Sequence, residues 1–339
     1  MKNKIIFVVG TRPEIIKIAP IANKVPSIIL FTGQHFDANM SDNFFKLLKV
    51  SKIINLKTPK NYSVQQMAQN ISSELLNLKT DKVVVQGDTN STLAGAIATK
   101  FVKKKLYFIE SGMRSKDLMQ VEEYNRIIVS HLADINFCNH INNKLNLVNE
   151  NIPSKKIKIT GSTVYSSLKL IENQIFKNTQ EDYILLTLHR PENVDQDKKL
   201  NKLLNTINKL DAKIVFPIHP RTESKIDKKS YKNIEFIKPQ NYLSFVSLMK
   251  NSKFIISDSG GVQEEAAILR KPLLIPREYT ERPEMLNKFN LLVNNVRELN
   301  EESKNLLNNV SKLTKTVNES RLLYGDEKVI NKIIKELND

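Results

Sequence analysis

Short, mostly apolar runs alternate with amphipathic stretches from one end of the chain to the other. Runs at 4–9, 28–32, 82–86, 106–110, 135–138 and 157–160 have the length and apolar character of strands covered on both faces. Between them, stretches at 14–24, 39–48, 63–78, 92–103 and 125–133 carry apolar residues at helical spacing. The rhythm continues with strands expected at 183–188, 213–217, 234–237, 254–257 and 272–275, and helices at 198–210, 242–250 and 263–269. Strand and helix in strict turn predict an α/β fold of doubly wound parallel sheets.

With 339 residues, the chain exceeds one ordinary core and suits two α/β domains of roughly 150 residues each. A strand ending at Gly161, a helix at 163–173 and a polar tail at 177–182 put the hinge there. The expected domains are 1–165 and 166–325, with a last helix in 326–339 packing back on the first. One cysteine, Cys138, rules out an internal disulfide and sits in an apolar run where packing is its expected role. The apolar N-terminal run is too short for a signal peptide, and no run reaches eighteen apolar residues, so a cytoplasmic protein with no membrane partner is expected. A net charge of +16 suggests nucleic acid. The lysines, however, are scattered among asparagines and isoleucines, with neither an interleaved aromatic series nor zinc-finger spacing, so no nucleic-acid partner is expected.

Candidate chemistry collects at strand ends, where open parallel sheets bind ligands. The run Ser257-Asp258-Ser259-Gly260-Gly261-Val262-Gln263-Glu264-Glu265 reads as a strand end, a glycine turn and a helix start. Two glycines let the backbone approach a diphosphate, with angles closed to other residues, and the helix N-terminus supplies N–H groups. Glu264 or Glu265, one turn in, is placed for ribose hydroxyls. The ordinary alternative is a helix capped by Ser257 or Asp258. Other strand ends carry Gly10-Thr11-Arg12-Pro13-Glu14 with Lys17, Gly87-Asp88, Glu110-Ser111-Gly112, His189-Arg190 and His219-Pro220-Arg221, and Glu122-Glu123 opens a helix. Singly each has a plain role: Asp88 as a cap, Glu122 and Glu123 as first-turn acids, Arg12 as a partner of Glu14. Together, carboxylates, a histidine and arginines on corresponding edges are what a cleft enzyme needs. His131, beside Leu132 and Ala133, reads as a core histidine. The five histidines show no ligand spacing, so no metal is expected, and without GxGxxG no NAD.

In order and spacing the motifs GTRPEIIK (10–17), TGQH (32–35), QGDTNST (86–92), ESGMRS (110–115), EEYNR (122–126), TGSTV (160–164), TLHRPENV (187–194), HPRT (219–222), SDSGGVQEEA (257–266) and ERPE (281–284) resemble the non-hydrolysing UDP-N-acetylglucosamine 2-epimerases over nearly the whole chain. The resemblance implies two Rossmann-like domains of the glycosyltransferase B type with an interdomain cleft, a homodimer, and no cofactor. It implies anti elimination of UDP to a 2-acetamidoglucal and re-addition after the proton returns to the other face of carbon 2. Its catalytic positions fall on Asp88, Glu110, Glu122 and His189, with the base among the three acids. Its substrate-binding positions fall on Arg12, Lys17, Arg126, His219, Ser259, Gly260, Gly261 and Glu265. Departures include Ser111 for the usual alanine and Val121 for the usual proline. Asp37 and Pro191 replace the glutamine and arginine of members activated by their own substrate. The segment 33–45 is closer to relatives acting on UDP-2,3-diacetamido-2,3-dideoxyglucuronic acid, which is the alternative substrate. A B-type glycosyltransferase, the competing class, would share the UDP turn but would not require the three acids.

Overall fold

All five residues of β1 (Ile5–Val9) are buried, so this strand needs cover on both of its faces. The computed structural model describes residues 4–33, 52–56, 62–175, 182–287, 290–319 and 323–338. The helix expected at 39–48 and the motif residues His35 and Asp37 lie outside the described residues. The chain divides into two units, Met1–Ile171 with Tyr324–Asp339, and Glu172–Leu323.

In the first unit β1 is followed by α1 (Arg12–Ala22), β2 (Ser27–Phe31), β3 (Ile53–Asn55), α2 (Val64–Asn77), β4 (Lys82–Gln86), α3 (Asn90–Phe101) and β5 (Lys105–Ile109). Then come α4 (Val121–Leu132), β6 (Ile135–Cys138), α5 (Ile141–Asn149), β7 (Ile157–Ile159) and α6 (Val164–Ile171). The strands form one parallel sheet in the order β3-β2-β1-β4-β5-β6-β7. Alternate residues face opposite ways. Ile6, Val8, Val83, Val85, Leu106 and Phe108 join Met67, Ile71, Leu75, Ala94 and Val129 of α2 to α4 in one core. On the other side α6 is tied to α1 by the Ser167 hydroxyl, which donates to the Ile16 carbonyl at 2.6 Å.

The second unit has β8 (Tyr183–Thr187), α7 (Pro191–Val194), α8 (Asp197–Ile207), β9 (Lys213–Pro217), α9 (Pro220–Glu223), β10 (Ile234–Ile237), α10 (Tyr242–Asn251) and β11 (Ile255–Ser257). It continues with α11 (Gly260–Leu269), β12 (Leu273–Ile275), β13 (Asn290–Leu292) and α12 (Val296–Glu319). Its sheet is parallel in the order β10-β9-β8-β11-β12-β13. Ile184, Leu186, Ile214 and Phe216 pack with Leu200, Leu203, Leu204 and Ile207 of α8 on one face. Tyr183, Leu185, Val215 and Ile255 pack with Met249, Val262 and Ala266 on the other.

A last helix, α13 (Val329–Asn338), belongs to the first unit and buries Val329, Ile330, Ile333 and Leu337. The segment before it is stitched to Gly161: Ser162 N donates to the Tyr324 carbonyl at 2.8 Å. Gly161 has φ +94°, and a Cβ there would stand 2.6 Å from that same oxygen and 2.8 Å from Val329. Only glycine fits such a seam.

The short edge strands β3 and β13, and the helices α5 and α12, lie beyond the elements expected from pattern. In α12 the residues facing the core, Leu299 and Leu306, are diluted by asparagine, serine and lysine. His131 corrects an expectation: it is exposed, with its ring nitrogens 2.9 Å from the Ile127 carbonyl and 3.3 Å from that of Glu150. It faces the solvent side of α4, where its ring N–H has a backbone carbonyl within reach that an apolar core would not offer.

Candidate functional site

In each sheet the strand order reverses direction once, and ligands of open α/β sheets bind beside that point. In the second unit the reversal lies between β8 and β11, whose last residues, Thr187 and Ser257, are paired in register. Just past them, Asp258 is wholly buried and accepts four donors. These are the His189 ring at Nδ1 (2.9 Å) and the backbone N–H groups of His189 (3.1 Å) and Arg190 (3.1 Å), with Asn193 Nδ2 at 3.0 Å. Burial alone would raise this carboxyl, but the bonds from His189, Asn193 and Arg190 outweigh it and hold its pKa below the ordinary range. The His189 side chain is 52% exposed. Its Nε2 has no hydrogen-bond partner among the described residues.

One residue further, Ser259 is the N-cap of α11 and makes no side-chain cap bond. Neither Ser257 nor Asp258 caps this helix: the Ser257 hydroxyl accepts from Ser259 N at 3.1 Å, and Asp258 is turned to the histidine loop. The two glycines have different reasons. A Cβ on Gly260 would collide with the carboxylate of Glu281 and stand 2.8 Å from Arg282, in a buried charge cluster where Glu281 pairs with Arg277 (3.1 Å) and Arg282 (2.7 Å). Gly261 has open space, its nearest neighbour being Ser259 Oγ at 3.9 Å. Neither has a positive φ, which corrects the expectation of angles closed to other residues. Gly260 is set by packing, and Gly261 leaves bare backbone at a helix start. Glu264 is buried beside Arg282 (3.5 Å), whereas the carboxylate of Glu265 meets the Tyr242 hydroxyl. Burial, then the charge of Glu265, pushes that phenol well above its ordinary value. His219 caps α9, its Nδ1 accepting from Arg221 N at 3.2 Å, and is exposed.

In the first unit the reversal lies between β1 and β4, and here too a buried carboxylate joins the two loops. Glu14, 2% exposed, accepts from Gly10 N (2.8 Å), Thr11 N (2.6 Å) and Thr11 Oγ1 (2.8 Å) on one oxygen. On the other it accepts from Thr89 Oγ1 (2.7 Å) and Thr92 Oγ1 (2.9 Å). Burial nonetheless leaves its pKa above the ordinary range. Its five donors satisfy Glu14 without Arg12, which begins α1 half-buried. Lys17, one turn on, forms an ion pair with Glu110, which also accepts from Gln86 Nε2. Glu110 has φ +70°, a left-handed backbone uncommon for a residue with a side chain and often found where function demands it.

Asp88 follows Gly87 and pairs with Arg126, whose other nitrogen reaches Glu123 at 2.9 Å. Asp88 does not cap α3; Thr89 does, accepting from Thr92 N at 3.2 Å. Of the two acids opening α4, Glu122 is exposed and Glu123 buried. Burial would raise Glu123, but the N–H groups of Ser115 and Lys116 and the guanidinium of Arg126 more than offset it and lower its pKa. Arg126 therefore gathers Asp88 and Glu123, and Lys17 gathers Glu110, while Glu122 stands apart on the surface. Sequence reasoning missed Glu14, Glu123 and Asp258 as organising groups. Only Glu14 had a local signal, the Thr-x-x-Glu capping pattern. Among the described residues no group of three or more His, Cys, Asp or Glu could hold a metal ion.

Two Rossmann-like parallel sheets, each gathering ionisable residues at its switch point, define a glycosyltransferase B-type α/β protein. The family model for UDP-N-acetylglucosamine 2-epimerase matches residues 20–338. The chain belongs to that family and is an isomerase. It is 38% identical to the UDP-N-acetylglucosamine 2-epimerase of Methanococcus maripaludis, over 95% of each chain. It is 34% identical to the UDP-2,3-diacetamido-2,3-dideoxy-D-glucuronate 2-epimerase of Pseudomonas aeruginosa, over 98% of this chain and 99% of that one. The crystal structure of the Methanocaldococcus jannaschii UDP-GlcNAc 2-epimerase in complex with UDP-GlcNAc and UDP has a TM-score of 0.83 at 34% identity, covering 98% and 99% of the two chains. Among the described residues no helix is long and apolar enough to cross a membrane.

Proposed function

We propose that this protein interconverts UDP-GlcNAc and UDP-ManNAc without hydrolysis, with the cytoplasm as its site of action. The observation that carries the reading is the gathering of Asp88, Glu110, Arg126 and Lys17 at one switch point and of His189 and the bare-backbone turn at the other, in a chain of this family. One carboxylate takes the carbon-2 proton, the C–H electron pair becomes the C1=C2 bond, and UDP leaves with the C1–O pair. A proton delivered to the opposite face of carbon 2, with UDP re-adding at carbon 1, completes inversion. Two faces need two proton-handling groups, which the gathered acids Asp88 and Glu110 supply. Asp88 pairs with Arg126 and Glu110 with Lys17, and each pairing fixes where its carboxylate points. His189 faces the departing diphosphate, Ser259, Gly260 and Gly261 bind it through backbone N–H groups, and Glu265 takes the ribose hydroxyls. Arg12, Lys17, Arg126 and His219 complete the substrate contacts, and the reaction requires no added cofactor.

A second reading, epimerisation of UDP-2,3-diacetamido-2,3-dideoxyglucuronic acid, is favoured by the 34% identity to the Pseudomonas enzyme of that name. Incubation with each UDP-sugar in deuterated water tests both: the true substrate acquires deuterium at carbon 2 and yields its 2-epimer still bound to UDP. Deuterium with neither sugar, or release of free N-acetylmannosamine, overturns the assignment.

The homodimer belongs to the same reading. Ile97 and Phe101 of α3 and Val121, Tyr124 and Ile128 of α4 are exposed on two helices packed side by side, a row of apolar surface that a second copy would cover.

A further inference from the structure

Asp258 lies 69 positions from His189 in sequence and touches its ring because β8 and β11 are neighbours. Its two oxygens are divided. Oδ2 holds Arg190 N and Asn193 Nδ2, His189 N–H is shared (3.1 Å from Oδ1 and 3.2 Å from Oδ2), and Oδ1 lies 2.9 Å from His189 Nδ1. Asn193 is itself fixed, since Nδ2 also donates to the Pro276 carbonyl at 2.9 Å. A buried carboxylate so held has one fixed orientation and acts on the ring only as an acceptor. Nδ1 must then carry the proton, and Nε2, on the exposed side of the ring, is left with its lone pair.

We propose that Asp258 is a positioning residue for the epimerisation, locking His189 in the Nδ1–H tautomer and stabilising its cationic form when Nε2 is protonated facing the diphosphate. This rests on the reading of His189 as a catalytic residue. The same aspartate directly precedes Ser259 and Gly260, so the histidine and the diphosphate turn are set by one buried anchor. The other three bonds of Asp258 would serve a loop staple equally well; the ring contact alone reaches an exposed, chemically active nitrogen.

Asp258→Asn separates the two roles. Its side-chain oxygen is demanded on the Oδ2 side by the two donors found there alone, Arg190 N–H and Asn193 Nδ2, which turns its NH2 group toward His189 Nδ1 as a donor and forces the proton to Nε2. Long-range 1H–15N spectra of the wild type, with the His189 signals assigned by their loss in His189→Gln, should show the Nδ1–H tautomer. Asp258→Asn should show Nε2–H and turn over on the order of a hundredfold more slowly. Asp258→Asn added to His189→Gln should cost no further activity, since a group acting through the ring has nothing left to position. A staple alone would cost the same in both backgrounds. Neutral wild-type His189 with its single proton on Nε2 would overturn the proposal whether or not the variant folds, as would a double variant much slower than His189→Gln. Full turnover in Asp258→Asn with an inactive His189→Gln removes the positioning role and leaves the reading of the reaction intact; full turnover in His189→Gln removes both.

Discussion

Glu14 is the residue whose chemistry can be read most directly from its neighbours. One of its oxygens faces two backbone N–H groups, which can only donate. The other faces the hydroxyls of Thr89 and Thr92, which can also accept. A glutamine fits that arrangement with its oxygen toward Gly10 and Thr11 and its NH2 toward the threonines. The folded pKa of Glu14 lies above the unfolded one, so the native state holds the proton longer. Its contribution to stability is full at pH values below the ordinary carboxyl range and declines as the pH rises toward the folded value. Glu14→Gln should therefore gain on the wild type as the pH rises from 4 to 7 and equal or exceed it at neutrality. Glu14→Ala, which strands the buried N–H groups of Gly10 and Thr11, should lose about 3 kcal/mol. Urea unfolding at both pH values measures this; a glutamine variant as unstable as the alanine one would show that the carboxylate charge is itself required.

At the scale of elements, both units join the two loops at their switch point with a buried carboxylate, Glu14 in one and Asp258 in the other. The strands themselves were legible: 82–86, 135–138 and 213–217 occupy the expected ranges, because runs covered on two faces have little polar camouflage, and so does the edge strand 234–237, whose apolar residues flank one exposed glutamate. The joints were not legible. Pattern announces that Asp258 follows a strand, but only the order of strands brings it to His189. The choice between Glu122 and Glu123 likewise depends on which side of α4 carries Arg126 and meets the 115–116 backbone. The glycine pair was read as one device and is two. Gly260→Ala should cost about 3 kcal/mol by forcing the Glu281–Arg282 cluster apart. Gly261→Ala should leave stability within about 0.5 kcal/mol and weaken UDP binding about tenfold, since its Cβ occupies the space offered to the diphosphate. Thermal melting and calorimetric titration with UDP distinguish the two. Normal UDP affinity in Gly261→Ala would move the diphosphate away from this turn.

For the molecule as a whole, the exposed apolar row on α3 and α4 bears on assembly. Phe101, 81% exposed, is its most prominent member; if that row is the proposed dimer face, the wild type should sediment as a dimer and a Phe101→Glu, Tyr124→Glu variant as a monomer. Unchanged sedimentation would assign that face to something else. The net charge of +16 adds little to this picture, being spread along the chain as the lysines are.

The return of α13 to the first sheet has a consequence for how the protein is made. The groove that receives Ile330, Ile333 and Leu337 is built from residues that leave the ribosome early, while its occupant leaves only after the 152 residues Glu172–Leu323 have emerged. Throughout that interval the nascent N-terminal unit stands open with an apolar seam uncovered, and the unit in between can finish first. A chain so arranged can complete its first-made unit only once that helix has been made.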